Sequence, residues 1–578
     1  MAKYDLVIRG GTIADGSGNA TFEGDVAIQG DRIAAVGKVS DAGREEIAAK
    51  GKLVTPGFVD IHTHFDGQVM WDQRMTPSSD HGVTTILMGN CGVGFAPSLP
   101  EHRAIMVDVM EGVEDIPAAA LNLGLKWNWT TFPEYLDALE TRRVDVDFAT
   151  MVPHVPVRIF VMGRRGERRE PASPDDIKRM AAIVKEGVAA GGMGFSTSRA
   201  VGHRSGTGDV VPSTTAGEDE LMAIALALKD LGQGSFMSAS DLDTSLGYSP
   251  EFAMLTRIAK ASGRPVHFPM LQAKDRPNQW RELAEAAAAA KKDGARMYGQ
   301  VVARPVGVLF GLELTSHPFS YCPSYKAIAR LSLAERVARM KSPELRAKLL
   351  AEAPQAEPKE VRVMTMARMV EAQYPMGDPP NYSPRIEDRL DHIGKRTGRS
   401  ALEVAYDTLL EHDGNGILYH PARNFAAHNL DVVLDMLRRD EAVIGLGDAG
   451  AHLGRICDSS MPTFLLTYWT RDRQGERMPI PWVVRALTSR NAGIIGFHDR
   501  GLVKPGYKAD LNVIDYDRLT LRAARATHDL PGGAMRLSQK AEGYEATVLS
   551  GKVTFRGGQV TGTFPGKLVR GEQKAPAG

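Results

Sequence analysis

Cysteine is scarce: Cys91, Cys322 and Cys457 are the only three in 578 residues. Three thiols cannot staple so long a chain, and the count suits a reducing compartment. An excess of either charge is also missing, with 70 Lys and Arg against 70 Asp and Glu. That balance gives no footprint for nucleic acid, whose phosphates demand clustered cations. The basic run Arg164-Arg165-Gly166-Glu167-Arg168-Arg169 is broken by an acid and followed by Glu170, and reads as a solvated loop. Long hydrophobic runs are absent too, since no window nears the ~20 apolar residues of a membrane helix. The opening Tyr4-Asp5-Leu6-Val7-Ile8-Arg9-Gly10 reads as strand and turn, not as a targeting segment. The expectation is a soluble, cytoplasmic protein without nucleic-acid or membrane partners.

What is present has an order. Short strand candidates crowd both ends: Leu6-Val7-Ile8, Asp25-Val26-Ala27-Ile28, Ile33-Ala34-Ala35-Val36 and Leu53-Val54, then Leu511-Asn512-Val513-Ile514, Ala546-Thr547-Val548-Leu549 and Val553-Thr554-Phe555. Glycines such as Gly10-Gly11, Gly30, Gly551 and Gly557-Gly558 separate them as turns. Residues 1–56 and 504–578 are therefore expected to form one β-domain.

Between them, residues 57–503 alternate strand and helix. Thr84–Met88 reads as a strand, Ile177–Ala190 as a helix before the strand Met193–Ser196, and Leu430–Arg439 as a helix before Ala442–Leu446. This α/β rhythm predicts a (β/α)8 TIM-like barrel with a β-sandwich domain built from both termini, and chemistry at the C-terminal ends of the barrel strands. Residues from about 320 to 400 break the rhythm: Leu331–Ala351 is charged and helical, and Pro354, Pro358, Pro375, Pro379 and Pro380 follow. An insertion or lid over the barrel mouth is the economical reading.

The stretch Pro56-Gly57-Phe58-Val59-Asp60-Ile61-His62-Thr63-His64 carries the most chemistry. Side chains alternate along a strand, so Asp60, His62 and His64 are expected on one side, and two imidazoles can then meet one divalent cation. The stretch resembles the first-strand signature of the amidohydrolase superfamily. His81-Gly82-Val83-Thr84-Thr85, Gly89-Asn90-Cys91-Gly92, Met110-Glu111-Gly112-Val113-Glu114-Asp115-Ile116-Pro117 and Gly194-Phe195-Ser196-Thr197 narrow the resemblance to the N-acyl-D-amino-acid deacylase branch. Asp529-Leu530-Pro531-Gly532-Gly533 and Phe564–Gly571 fit that branch too. The likeness runs over nearly the whole chain apart from the insertion. It is specific for a family, not for a substrate.

The resemblance implies that Cys91 takes the place where many such proteins carry a carboxylated lysine. A thiolate is a good zinc ligand; a buried small hydrophobe is the alternative. It also implies that Asp448, at the end of Ala442–Gly447, touches the metal and shuttles protons. Two family histidines, however, have no counterpart. Their places read Phe236-Met237-Ser238-Ala239-Ser240-Asp241 and Pro265–Gln272, where His267 falls three positions early and on the other face from Met270. The cofactor expected is thus one Zn2+ on His62, His64, Cys91 and Asp448, with a second site stripped of ligands.

His154, His203 and His452 lie near predicted strand ends, each a candidate ligand, oxyanion donor or support for a ligand. Gln272 stands where the family binds a substrate carboxylate through lysine, and a neutral amide cannot supply that charge-assisted bond. Arg199, Arg204 and Arg423 are alternative anion sites. The expected reaction is hydrolysis of a linear amide in a small N-acylated amine or N-acyl-D-amino acid, giving a carboxylate and an amine. Phe319, Tyr321 and Tyr325 would then either cover the acyl group or pack a core. Cyclic-amide hydrolysis is one alternative, and a barrel retained only for binding is another. Homo-oligomerisation stays open.

Overall fold

The computed structural model describes residues 2–242 and 249–577. The two ends of the chain meet in one nine-stranded sheet. Its seam is the antiparallel pairing of Leu53–Pro56 with Leu511–Ile514, where Val54 faces Val513. On the N-terminal side lie Tyr4–Ile13, Phe22–Gln29, Arg32–Gly37 and Gly43–Ala48; on the other, Tyr544–Leu549, Lys552–Arg556 and Gln559–Val560. Period-two apolar pairs explain the pairing. Leu6 and Ile8, Val26 and Ile28, Leu511 and Val513, and Ala546 and Val548 turn to one face and form a single buried cluster.

The middle of the chain holds parallel strands in two sheets. Phe58–Asp60, Val83–Met88 and Asp147–Thr150 form the first. Val152–Pro153, Gly194–Ser198, Ser235–Ala239, Val266–Pro269, Met297–Val301 and Ala442–Ile444 follow in the second, each parallel to the next. Only Met151 separates the two sheets on one side. On the other side, a parallel bridge between Thr63 and Ala449 joins the end of the first strand to the end of the last.

Helices lie between the strands as the periodicity predicts. Pro174–Ala189 is representative: Ser173 caps it, Pro174 starts it, and Met180, Val184 and Val188 are buried at helical spacing. Among the described residues no helix is long and apolar enough to cross a membrane.

A buried charge network ties the parallel strands to the C-terminal segment. Asp147 Oδ2 lies 2.9 Å from Arg500 Nη1 and 2.6 Å from Lys508 Nζ. Burial alone would protonate Asp147, but the two cations hold its carboxyl below the usual range.

The stretch around 320–400 has a core of its own. Leu333–Met340, Pro343–Ala351, Leu390–Thr397 and Ala401–Gly414 pack around Phe310, Phe319, Tyr325, Met340, Tyr406 and Leu409. The single helix read from Leu331 to Ala351 is two, because Ser342 caps a second one that begins at Pro343. Phe319 and Tyr325 are fully committed to this core, which decides between the two roles open to them.

Candidate metal centre

The strand Phe58–Asp60 stops two residues short of the first imidazole. The His62 N–H turns back to Asp60 Oδ1 at 3.1 Å, so Asp60 sits below His62 and His64 and does not join them. Burial raises its pKa to about 7. Thr63 N–H donates to Leu87 O at 3.0 Å and His64 N–H to Ala449 O at 2.7 Å, pinning the segment between the second and the last parallel strands. Cys91 (φ 53°) and Asp448 (φ 44°) both occupy the left-handed region, and each follows such a strand. Non-glycine residues held there are usually over-determined by their surroundings.

These turns bring four groups together. Cys91 Sγ lies 3.3 Å from His62 Nε2. Asp448 Oδ1 lies 3.2 Å from His62 Nε2 and 3.8 Å from His64 Nε2. One ligand atom from each of His62, His64 and Cys91 lies within 4.8 Å of the others. His62, His64 and Cys91 are buried, whereas the Asp448 side chain is 23% exposed and marks the open side.

Neither ring nitrogen of His64 has a hydrogen-bond partner among the described residues, although both are sealed from solvent. Two imidazoles, a thiol and a carboxylate at these distances suit one divalent cation, which would satisfy that orphaned ring.

The electrostatics fit a site made to exchange protons for a cation. Burial pushes the His62 pKa down to about 4, with Asp448 opposing. Burial works against protonation of His64 as well, but Glu114, Asp448 and Cys91 outweigh it and raise its pKa. Burial pushes the Cys91 thiol up to about 12, with His64 opposing. Burial also works against the Asp448 anion, yet His62, His64 and His452 hold its pKa below the carboxylate range.

Two residues that sequence reasoning missed orient the imidazoles from behind. Gln300 Oε1 accepts from His62 Nδ1 at 2.7 Å, which leaves Nε2 free for a cation. Glu114 Oε1 stands 3.4 Å from His64 Nδ1, and its Oε2 lies 3.6 Å from His452 Nε2. The Glu114 carbonyl accepts the His452 N–H. A carboxylate behind a ligating histidine raises its basicity, so Glu114→Gln should weaken the affinity for a divalent cation held by His64 by about 10–100-fold. Competition with a chelator measures this, and an unchanged affinity would remove Glu114 from the site.

Known proteins match on this architecture. The amidohydrolase family model matches residues 45–555. The chain belongs to the amidohydrolase family. A D-aminoacylase from Alcaligenes xylosoxydans xylosoxydans is 34% identical over 195 residues, 34% of this chain and 37% of that protein. The chain thus spans little more than a third of that curated relative's length. A solved D-aminoacylase superposes with a TM-score of 0.65 at 23% identity, covering 98% of this chain and 100% of the other. An N-acyl-D-glutamate deacylase from Bordetella bronchiseptica, solved with zinc and a phosphonate inhibitor, gives 0.62 at 21% identity, with 98% and 100% covered.

Other residues of this amidohydrolase fall nearer to or farther from the centre. His203 is anchored through Nδ1 to Ser198 Oγ at 2.8 Å, and Ser198 N lies where a Cβ on Gly92, next to Cys91, would meet it at 2.8 Å. His154 is not brought to them. Its Nδ1 engages Thr197 Oγ1 at 2.8 Å and its Nε2 engages Glu220 Oε1 at 2.7 Å, which leaves no free atom for metal or substrate. It works as a buttress instead, since the adjacent Val155 N–H holds Gly92 O beside Cys91.

Gln272 is also spent. Its Nε2 donates to Pro277 O at 3.1 Å and its Oε1 accepts from Ala426 N–H at 3.1 Å. His267 lines a narrow void with Ile61, Leu87, Met237 and Gln300, where burial pushes its pKa down to about 3. It is not among the clustered ligands.

Proposed function

We propose that this amidohydrolase cleaves the linear amide of small N-acylated amines or N-acyl-D-amino acids, using one zinc ion held by His62, His64, Cys91 and Asp448. The observation that carries the reading is the convergence of His62, His64 and Cys91 with Asp448 at the ends of parallel strands, around an imidazole whose ring nitrogens have no hydrogen-bond partner among the described residues. The proposed frame is a closed (β/α)8 barrel, residues 57–503, with a β-sandwich from residues 1–56 and 504–578 and an insertion at about 320–400. Mixed thiolate and imidazole donors favour zinc over harder cations.

When bound, zinc makes a coordinated water acidic and polarises the acyl carbonyl. The chain's own groups do the rest. Gln300 fixes the His62 ring with Nε2 facing inward, and Glu114 stands 3.4 Å from His64 Nδ1 while His64 Nε2 faces Asp448. Asp448, held anionic and partly open to solvent, takes a proton from the attacking water and returns it to the departing nitrogen.

A substrate carboxylate is not read at Gln272, whose amide is committed to the backbone. Arg199 is likewise engaged, donating from Nε to Glu251 Oε1 at 2.7 Å and from Nη1 to Ala216 O. The reading therefore favours substrates recognised through the acyl group. A panel of N-acyl amines, N-acyl-D- and L-amino acids and hydantoins, assayed with zinc-replete protein, tests this. Turnover of rings but not of linear amides would reverse the assignment, and no turnover before or after zinc loading would end it.

A further inference from the structure

A buried hydroxyl decides where His203 carries its proton. Ser198 ends the strand Gly194–Ser198 and is fully buried. Its Oγ has two neighbours: the Ala200 N–H, which donates to it at 3.3 Å, and His203 Nδ1 at 2.8 Å. The hydroxyl has a proton of its own, and a buried donor left unshared is costly. Among the described residues, Nδ1 is the one group bonded to that Oγ that could accept its proton. The imidazole must therefore accept at Nδ1 and carry its own proton on Nε2. Burial keeps the ring neutral, pushing its pKa down to about 4.

The anchor of this ring adjoins the ligands. Gly92, next to Cys91, lies so close to the strand end that a Cβ there would stand 2.7 Å from Thr197 Cα and 2.8 Å from Ser198 N. Gly92 N–H also donates to Ser196 Oγ at 3.0 Å. After burial, the groups that act most strongly on the His203 ring are His452, His64, Asp448 and His62. Its Nε2 is neither hydrogen-bonded among the described residues nor sealed away as the His64 nitrogens are.

We propose that His203 is a catalytic residue whose Nε2–H donates a hydrogen bond to the acyl oxygen as that oxygen gains negative charge. The inference rests on the amide-hydrolase reading and gives it a missing part. A neutral imidazole is too weak an acid to protonate the departing amine, and Asp448 already has that role. A fixed neutral donor beside the centre, able to meet developing negative charge, is what remains for His203 to be.

His203→Leu should lower kcat by about 10²–10³-fold with KM and zinc content little changed. A phosphonate mimic of the tetrahedral species should weaken in parallel. His203→Gln places an amide N–H near the position of Nε2 and should recover at least about tenfold over leucine. A purely structural role would leave the two variants alike.

A second measurement is independent of turnover. In the zinc-free protein, 15N spectra of labelled histidine should show His203 protonated on Nε2, a preference that Ser198→Ala abolishes. A proton found on Nδ1, or a leucine variant within threefold of wild-type kcat, would overturn the role of His203 alone. Wild-type protein inert towards every amide would overturn the hydrolase reading, and this role with it.

Discussion

Asp448→Asn is expected to lower kcat by about 10²–10⁴-fold in protein that still carries zinc. The asparagine has the same shape, so the left-handed turn at position 448 and the packing around it should persist. His62, His64 and Cys91 remain to hold the ion. What disappears is the anion. Asp448 reaches His62 and His64 with one oxygen while its side chain keeps contact with solvent. A carboxylate so placed can take a proton from water and hand it to nitrogen; an amide can do neither.

Metal analysis beside kcat separates the alternatives. A variant that loses its zinc makes Asp448 chiefly a ligand. One that keeps zinc and stays within tenfold of the wild type would show that proton transfer runs elsewhere.

The same aspartate shows how far the sequence could be read. Ala442–Gly447 is an apolar run that ends in an acid, and a buried strand delivering a carboxylate follows from that pattern alone. His62 and His64 are legible for a similar reason, being two apart beside a strand. The joining of the termini in one sheet could also be anticipated, since strands with unpaired edges and matching apolar faces must find one another.

Glu114 and Gln300 could not be read this way. Gln300 meets His62 across 238 positions of chain, and no local period marks either member of that pair. Glu114 lies in a stretch that the sequence singles out, Met110–Pro117, but its partner ring belongs to another element. Gln272 stands at a place that the resemblance links to the substrate carboxylate, and the partners that take up its amide, the backbone of Pro277 and Ala426, are marked by no local pattern either. Partners of buried polar groups are set by tertiary packing, which short-range patterns do not encode.

Zinc affinity should climb steeply with pH, and Cys91→Ala should reduce both the affinity and the slope. Without the metal, burial pushes the thiol up to about 12 and Glu114 and Asp448 raise the His64 pKa well above the usual imidazole range, so both carry protons at neutral pH. Zinc binds thiolate and neutral imidazole, and each zinc that enters must therefore expel two protons. The dissociation constant then falls by about 100-fold per pH unit while both groups are protonated. It falls by about tenfold per unit once His64 has lost its proton unaided.

The sign is fixed by which state holds the protons: the metal-free form binds more of them, so acid favours release of the ion. Without the thiol, one expelled proton is lost from the balance and the slope drops by one. Removing one of four ligands should also cost about a quarter of the ~10–16 kcal/mol typical of a four-ligand zinc site, or roughly 10²–10³-fold in affinity. Chelator competition across pH 6–9, run on the wild type and Cys91→Ala together, measures both quantities. Parallel slopes for the two proteins would mean that Cys91 never gives up its proton to the ion, and the ligand set proposed for zinc would have to be drawn without it.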